Sequence, residues 1–163
     1  MQLFDRTLSD WLEYWAEKTP DREHIVYSDR NLRFTWKTFN ERVDNMANGL
    51  LSIGVTQGTH VGIWAQNVPD WLTLLYATAK IGAVAVTVNT NYKSEELAFV
   101  LKNADMHTLC LTEGIPGSDY IDMIYELLPE LRSTQRGKLK SSRFPEMRNV
   151  VYIGQEKYRG MYN

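Results

Sequence analysis

The chain has 163 residues, of which 44% are hydrophobic and 23% charged, and its formal net charge is -2. That length suffices for one domain with its own core, and the composition excludes a disordered chain. The near-neutral charge gives nucleic-acid binding no global electrostatic support, and a lone cysteine, Cys110, excludes an internal disulfide.

The opening stretch MQLFDRTLSD is polar and acidic, unlike a signal peptide. With one cysteine it points to a reducing, cytoplasmic setting. A first helix is expected after Thr7, whose hydroxyl can form a capping box with Asp10. Leu8, Trp11, Leu12, Trp15 and Ala16 lie on one face, and Thr19-Pro20-Asp21 ends the helix. The two tryptophans on that stripe are expected to pack in the core; a ligand platform is the alternative. His24 to Phe34 reads as a β-hairpin joined by Asp29-Arg30-Asn31. Thr35 then caps a second helix with Trp36, Phe39, Val43, Met46, Ala47 and Leu50 on its apolar face. Gly54 suits the left-handed position past its end.

From His60 to Leu111 three apolar runs, HVGIWA, AVAVTVN and HTLCL, alternate with two helix-patterned segments. Short apolar runs between amphipathic helices predict parallel strands with crossover helices, covered on both faces. Asn67 is expected to cap the first of these helices, with Pro69 in its first turn, and Ser94 the second, with Glu95 and Glu96 near its start. The first is apolar nearly all round, which suits a helix sandwiched between neighbours. No stretch is long and uninterrupted enough to span a membrane as a helix. Glu113 to Gly117 reads as a loop, and Tyr120 to Leu128 as a helix that Pro129 ends or kinks. Arg132 to Arg143 reads as a polar surface loop carrying Arg136, Lys138 and Lys140; contact with an anion or a membrane surface is the alternative. Asn149 to Ile153 is a last strand. The chain stops at Asn163 with no further helix to complete the unit, as expected of a piece of a longer protein.

Several chemistries find no support. There is no Walker phosphate loop, no Gly-x-Gly-x-x-Gly after a strand and no Gly-x-Ser-x-Gly elbow. His24, His60 and His107 are scattered without metal-ligand spacing, and Cys110 has no patterned histidine partner, so it is expected to be an inert buried thiol. The residues alone predict an α/β domain.

In order along the chain, several segments resemble motifs of one family. Thr19-Pro20-Asp21 with Phe34-Thr35-Trp36 is similar to a "TPD … lTYxEL" opening. Leu50 to Gly54 and Gly58 to Ala65 resemble "aLxxlGvxkGDrVaiw", and Asn67 to Trp71 resembles "NxPEW". Ala79 to Ala83 resembles "lAxxkiGAv", and Val88-Asn89 through Glu96-Leu97 resembles "vNtnykxxEL". Tyr120 to Leu131 is similar to the branch that activates fatty or other carboxylic acids. Nearly the whole chain thus resembles the N-terminal part of the adenylate-forming acyl-CoA synthetases, the AMP-binding superfamily. Two departures are Thr59, where an Asp is usual, and Thr38, in place of the acidic residue that would complete the Thr35 capping box.

The resemblance implies the front portion of an acyl-CoA synthetase N-domain: a three-layer α/β subdomain with a parallel sheet, an N-terminal helix and a β-hairpin, truncated before the phosphate-binding loop. It implies a parent enzyme that joins a carboxylic acid, expected to be a fatty acid, to coenzyme A. The acid attacks ATP to give an acyl-adenylate and pyrophosphate, and the coenzyme A thiol then displaces AMP. ATP, Mg and coenzyme A are expected for the full-length enzyme, and none tightly bound to this portion. The family's phosphate-gripping loop, adenine segment, ribose-binding aspartate and mobile-domain lysine have no counterpart here, so no catalytic residue is assigned and this portion alone is expected to be inactive. Asn89, Thr90, Asn91 and Tyr92 are the implied cofactor-binding residues, as a wall of the coenzyme A channel. A plain strand-to-helix connection is the alternative. Two other readings stay open at this point: a stand-alone binding or scaffold module, and an adenylating enzyme whose acceptor is a carrier protein.

Overall fold

The computed structural model describes residues 5–163; the first four residues of the polar N-terminal stretch lie outside the described residues. Helix α1 (Leu8–Lys18) begins at Thr7, whose amide donates to the Asp10 carboxylate at 2.7 Å while its hydroxyl accepts the Asp10 amide. Strands β1 (Glu23–Tyr27) and β2 (Leu32–Thr35) form the expected hairpin, with Asn31 left-handed at φ 48°. Helix α2 (Trp36–Ser52) is capped by Thr35. Thr38 completes that capping box itself: its hydroxyl accepts the Thr35 amide at 2.9 Å. A neutral oxygen at this position satisfies the same orphan N–H that a carboxylate would. Gly54 follows the helix at φ 87° and donates to Leu51 O, as expected.

Strand β3 (His60–Trp64) leads into helix α3 (Pro69–Lys80), strand β4 (Val84–Thr87), helix α4 (Ser94–Asn103) and strand β5 (Thr108–Leu111). Both helix starts correct the sequence reading. The N-cap of α3 is Val68 rather than Asn67, and no side chain caps it; Pro69 at the first position removes one donor that would need a partner. The N-cap of α4 is Lys93 rather than Ser94, and its amide donates to the Glu96 carboxylate at 2.8 Å. Ser94 lies inside the helix, and its hydroxyl donates to Glu126 at 2.8 Å. The segment read as a loop at Glu113 to Gly117 holds half of a small hairpin, β6 (Gly114–Ile115) paired with β7 (Ser118–Asp119), which turns at Pro116-Gly117. Helix α5 (Tyr120–Leu127) is followed by a short 3-10 turn from Pro129 to Arg132, and later by strand β8 (Asn149–Tyr152).

The four longer late strands make one parallel sheet in the order β4-β3-β5-β8. Period-two alternation sends Val61, Ile63 and Cys110 to one face and Trp64, Leu109 and Leu111 to the other, all fully buried. Helices α1, α2 and α3 cover the first face, and α4 and α5 the second, giving the expected three layers. Each fully buried Leu or Ile contributes about 1.5–3 kcal/mol relative to exposure, so the two dry faces supply the bulk of the stabilisation. Gly62 admits the close approach of layers: a Cβ there would lie 2.8 Å from both Leu109 Cδ1 and Met106 Sδ.

Two polar contacts fix how the layers sit. Lys80, at the end of α3, reaches Glu13 of α1 at 2.8 Å, Asn40 of α2 at 3.1 Å, and Asp44 of α2. Burial opposes its charge, but the hydrogen bonds it donates to Asp44 and Glu13, with the attraction of those two carboxylates, together outweigh burial and raise its pKa. Asn149, 3% exposed at the start of β8, donates to Ile53 O at 3.0 Å and Thr108 Oγ1 at 3.1 Å, tying the end of α2 to two strands. Replacing Asn149 with Ala leaves the half-buried Ile53 carbonyl and the buried Thr108 hydroxyl short of a donor. The expected loss of about 1–3 kcal/mol should appear as a lower urea midpoint.

His24 stacks on Trp36 with ring centroids 3.5 Å apart and meets Phe39 edge-on. Its Nε2 is buried with no hydrogen-bond partner among the described residues, and burial lowers its pKa. The unfolded chain therefore takes up the proton first, and stability present above the ordinary histidine value of about 6.5 is lost as pH falls below it. His107, lowered by burial and then by Arg148, acts in the same direction. His24→Phe should flatten, without abolishing, the fall of the urea midpoint from about pH 7 to about pH 5; an unchanged slope would count against a buried neutral His24.

Candidate functional site

The chain leaves β3 through α3 on one face of the sheet and enters β5 from α4 on the other. The C-terminal ends of β3 and β5 therefore flank a topological switch point, where loops on both sides splay apart and open α/β sheets bind ligands. Four segments converge there: the turn after β3, residues 88–93 after β4, the β6–β7 hairpin, and the chain after β8.

Residues 88–93 are held by their backbone. Trp64, the last residue of β3, is fully buried and stacks face to face on Tyr120, with centroids 3.7 Å apart and planes 11° from parallel. The Trp64 indole donates to Asn89 O at 3.1 Å, and the Tyr120 phenol donates to Thr90 O at 2.6 Å. Burial raises the Tyr120 pKa, partly offset by the bond to Thr90, so the phenol stays protonated and remains a donor. Each aromatic thus has an apolar body in the core and a polar tip on the loop. The Asn89 side-chain carbonyl accepts the Asn91 amide at 2.9 Å, closing a local turn.

This tether decides where the four expected binding residues lie. Asn89 and Asn91 are exposed, Thr90 is half-buried at the rim, and Tyr92 packs partly against the core beneath. Thr90 lines a hollow of about 500 Å³ with Ala65, Gln66, Asn67, Trp71 and Leu72. Neighbouring loops are tied in by two further side chains. Gln66 donates to Gly114 O at 2.9 Å, and the Lys93 ammonium donates to Ser118 Oγ at 3.1 Å and Gly117 O at 3.3 Å. The sequence reading missed Trp64, Tyr120, Gln66 and Lys93 as parts of this edge. A signal for the hairpin was present in Pro116-Gly117, a turn dipeptide between two short extended stretches.

Amides, a hydroxyl, a phenol and one ammonium can orient a polar ligand against a fixed wall. Among the described residues no group of three or more His, Cys, Asp or Glu could hold a metal ion. Cys110 lies away from this edge, fully buried, and burial pushes its thiol up to about 12, which makes it inert at neutral pH. A larger hollow of about 670 Å³ lies over the α2-side face of β5 and β8, between apolar residues such as Met46, Leu50 and Val151. Arg42 at its rim is already bound to Asp70 and to Thr73 at 3.2 Å. Trp11 and Trp15 are half-buried rather than core residues. Trp15 meets Trp36 at 6.0 Å, and Arg6 lies over the Trp11 ring at 4.9 Å.

Comparison with known proteins gives a consistent result. The model of the AMP-binding enzyme family matches residues 12–153. A Bacillus subtilis protein named as an acyl-CoA synthetase, YngI, is 43% identical over 162 residues, covering 99% of this chain and 30% of its own length. The mitochondrial medium-chain acyl-CoA ligase of Mus musculus is 34% identical over 151 residues, covering 93% of this chain and 25% of its own. Among solved structures, a Rhodopseudomonas palustris protein named as a long-chain-fatty-acid CoA ligase superposes with a TM-score of 0.78 at 27% identity. That alignment covers 99% of this chain and 36% of that one. The chain thus spans about a third or less of the length of these relatives, and its fold is that of the corresponding part of the solved ligase.

Tyr120→Phe removes the phenol bond to Thr90 and keeps the stacking surface. Backbone amides of residues 90–93 are expected to exchange with deuterium about fivefold faster, the equivalent of one lost hydrogen bond of about 1 kcal/mol. Unchanged exchange would mean that the loop does not depend on this tether.

Proposed function

Since the chain belongs to the AMP-binding enzyme family, we propose that it forms the N-terminal portion of an ATP-dependent carboxylate–CoA ligase, ahead of the family's phosphate-binding loop. The parent enzyme joins a carboxylic acid, of the fatty-acid class, to ATP with release of pyrophosphate, and then transfers the acyl group from AMP to the thiol of coenzyme A. Magnesium would accompany ATP, and its ligands would come from outside the residues described here. A cytoplasmic setting fits the single buried thiol and the absence, among the described residues, of a helix long and apolar enough to cross a membrane.

Within that enzyme the role of this chain is to wall the acceptor's path. The observation that carries the reading is the tether: Asn89 and Thr90 are gripped through their carbonyls and the Asn89 side chain closes the local turn, so the side chains of Thr90 at the rim and exposed Asn91 are left to face the opening. A channel wall must hold its place while a long flexible thiol threads past it. A loop fixed by buried aromatics and one Asn89 turn bond meets that need while leaving the Thr90 and Asn91 side chains unspent.

The test uses the protein of ligase length that carries this chain. Asn91→Trp adds bulk at an exposed position whose side chain supports nothing else. If 89–92 line the acceptor channel, KM for coenzyme A rises about tenfold, a cost near 1.4 kcal/mol, while acid-dependent ATP–pyrophosphate exchange without coenzyme A is unchanged. If both activities are unaffected, the loop is only a connection. Offering a phosphopantetheine carrier protein beside coenzyme A distinguishes the two acceptors directly.

A further inference from the structure

The residue that starts α4 breaks the local rules for its place. Helix N-caps favour Ser, Thr, Asp or Asn, and the positive end of the helix dipole disfavours a cation. The N-cap here is nevertheless Lys93, with Ser94 one position on. An ammonium has no lone pair to offer the first helix amides, so this side chain does nothing for its own helix. It crosses instead to the β6–β7 hairpin, donating to Ser118 Oγ at 3.1 Å and to Gly117 O at 3.3 Å. Both oxygens are neutral, and among the described residues Lys93 forms no ion pair.

The hairpin depends on such outside support. It pairs only Gly114 with Asp119 and Ile115 with Ser118, too few residues to be stable by themselves. The Tyr120 amide closes its base on Glu113 O at 3.1 Å, Ile115 packs partly against the core under α4 and α5, and Ser118 is buried. Two side chains then hold it from the neighbouring loops. Gln66, in the turn after β3, donates to Gly114 O at 2.9 Å, and Lys93 ends the loop after β4. Gln66 and Thr90 both line the 500 Å³ hollow. The hairpin is thus a cross-tie between the two loops that border this hollow. Trp64 and Tyr120 fix the loop at residues 89 and 90, and Lys93 fixes its far end.

We propose that Lys93 is a positioning residue for acyl transfer to the acceptor thiol: through the hairpin it sets the spacing of the two loops beside the acceptor's path, and it touches no reacting atom. This inference rests on the acceptor-channel reading and adds the hairpin to it as a brace. A cation at an unfavourable cap position is the local sacrifice that the brace requires.

The test again uses the protein of ligase length. Lys93→Met keeps the aliphatic stem and removes the ammonium. Deuterium exchange is expected to quicken about threefold in both 89–93 and 114–119, and KM for coenzyme A to rise about fivefold, while acid-dependent ATP–pyrophosphate exchange without coenzyme A stays unchanged. Lys93→Arg, which can donate to the same two oxygens, should return KM to within about twofold of the original. Ser118→Ala should raise KM about twofold by itself and add nothing in the Lys93→Met background, because the two side chains share one bond. Unaltered exchange in Lys93→Met, or a Ser118→Ala effect that adds in full to it, would overturn the brace. An unchanged KM in Lys93→Met beside a raised KM in Asn91→Trp overturns the positioning role and leaves the channel reading standing. An unchanged KM in both variants overturns the two together.

Discussion

The pairing of β3 with β5 sets the terms for everything around it. Both strands are buried on both faces, so neither can satisfy a backbone group with water, and each must be paired on both edges and roofed on both sides. Strand β4 closes one edge and β8 the other. The roofing demands helices above and below, and parallel strands can be joined only by crossovers long enough to be those helices. One constraint therefore produces the layers, the two separate apolar cores, and a sheet whose ends are the only places where irregular chain can collect.

Those two ends differ in what they present. At the C-terminal ends of the strands, aromatic side chains reach out of the core and grip a loop by its carbonyls. At the N-terminal ends, the long segment between α5 and β8 buries Leu139, Phe144 and Met147 and turns its cations outward. The same device serves both: a few apolar side chains anchor irregular backbone, and the polar groups between the anchors face outward. The difference is chemical, with neutral amides and one ammonium at one end and a surplus of guanidinium and ammonium groups at the other.

The layers were legible in the sequence because burial on both faces makes continuous apolar runs, and those runs are hard to imitate by chance. HVGIWA and HTLCL became adjacent strands, Gly54 took the left-handed turn expected of it, and Asp29-Arg30-Asn31 joined the expected hairpin. What escaped the sequence were matters of a single hydrogen bond. Asn67 and Ser94 are good cap residues one position away from the observed cap, and an alternative that close differs by about a kilocalorie. The same scale hid the Thr38 hydroxyl, which does the work of a carboxylate. The grip of Trp64 and Tyr120 on residues 89 and 90 joins side chains 56 positions apart to backbone, and no local pattern encodes it. The family resemblance led to residues 89–92, but only the coordinates separate the exposed Asn89 and Asn91 from Tyr92, which is partly spent on packing.

The lone thiol has a practical consequence. Cys110 lies at the centre of β5, paired with Ile63 on one side and Val151 on the other, and neither solvent nor charge reaches it while the sheet is intact. An alkylating reagent meets this sulfur only in molecules whose α2–α3 layer has lifted from the sheet face, beside the hollow that Cys110 helps to line. The rate at which the protein consumes such a reagent is then a clock for the lifting of that helix layer, built into the native sequence and readable by mass alone. Because the same atom sits beneath the face shared by α2 and α3, the clock would also register any partner that clamps those layers together from outside.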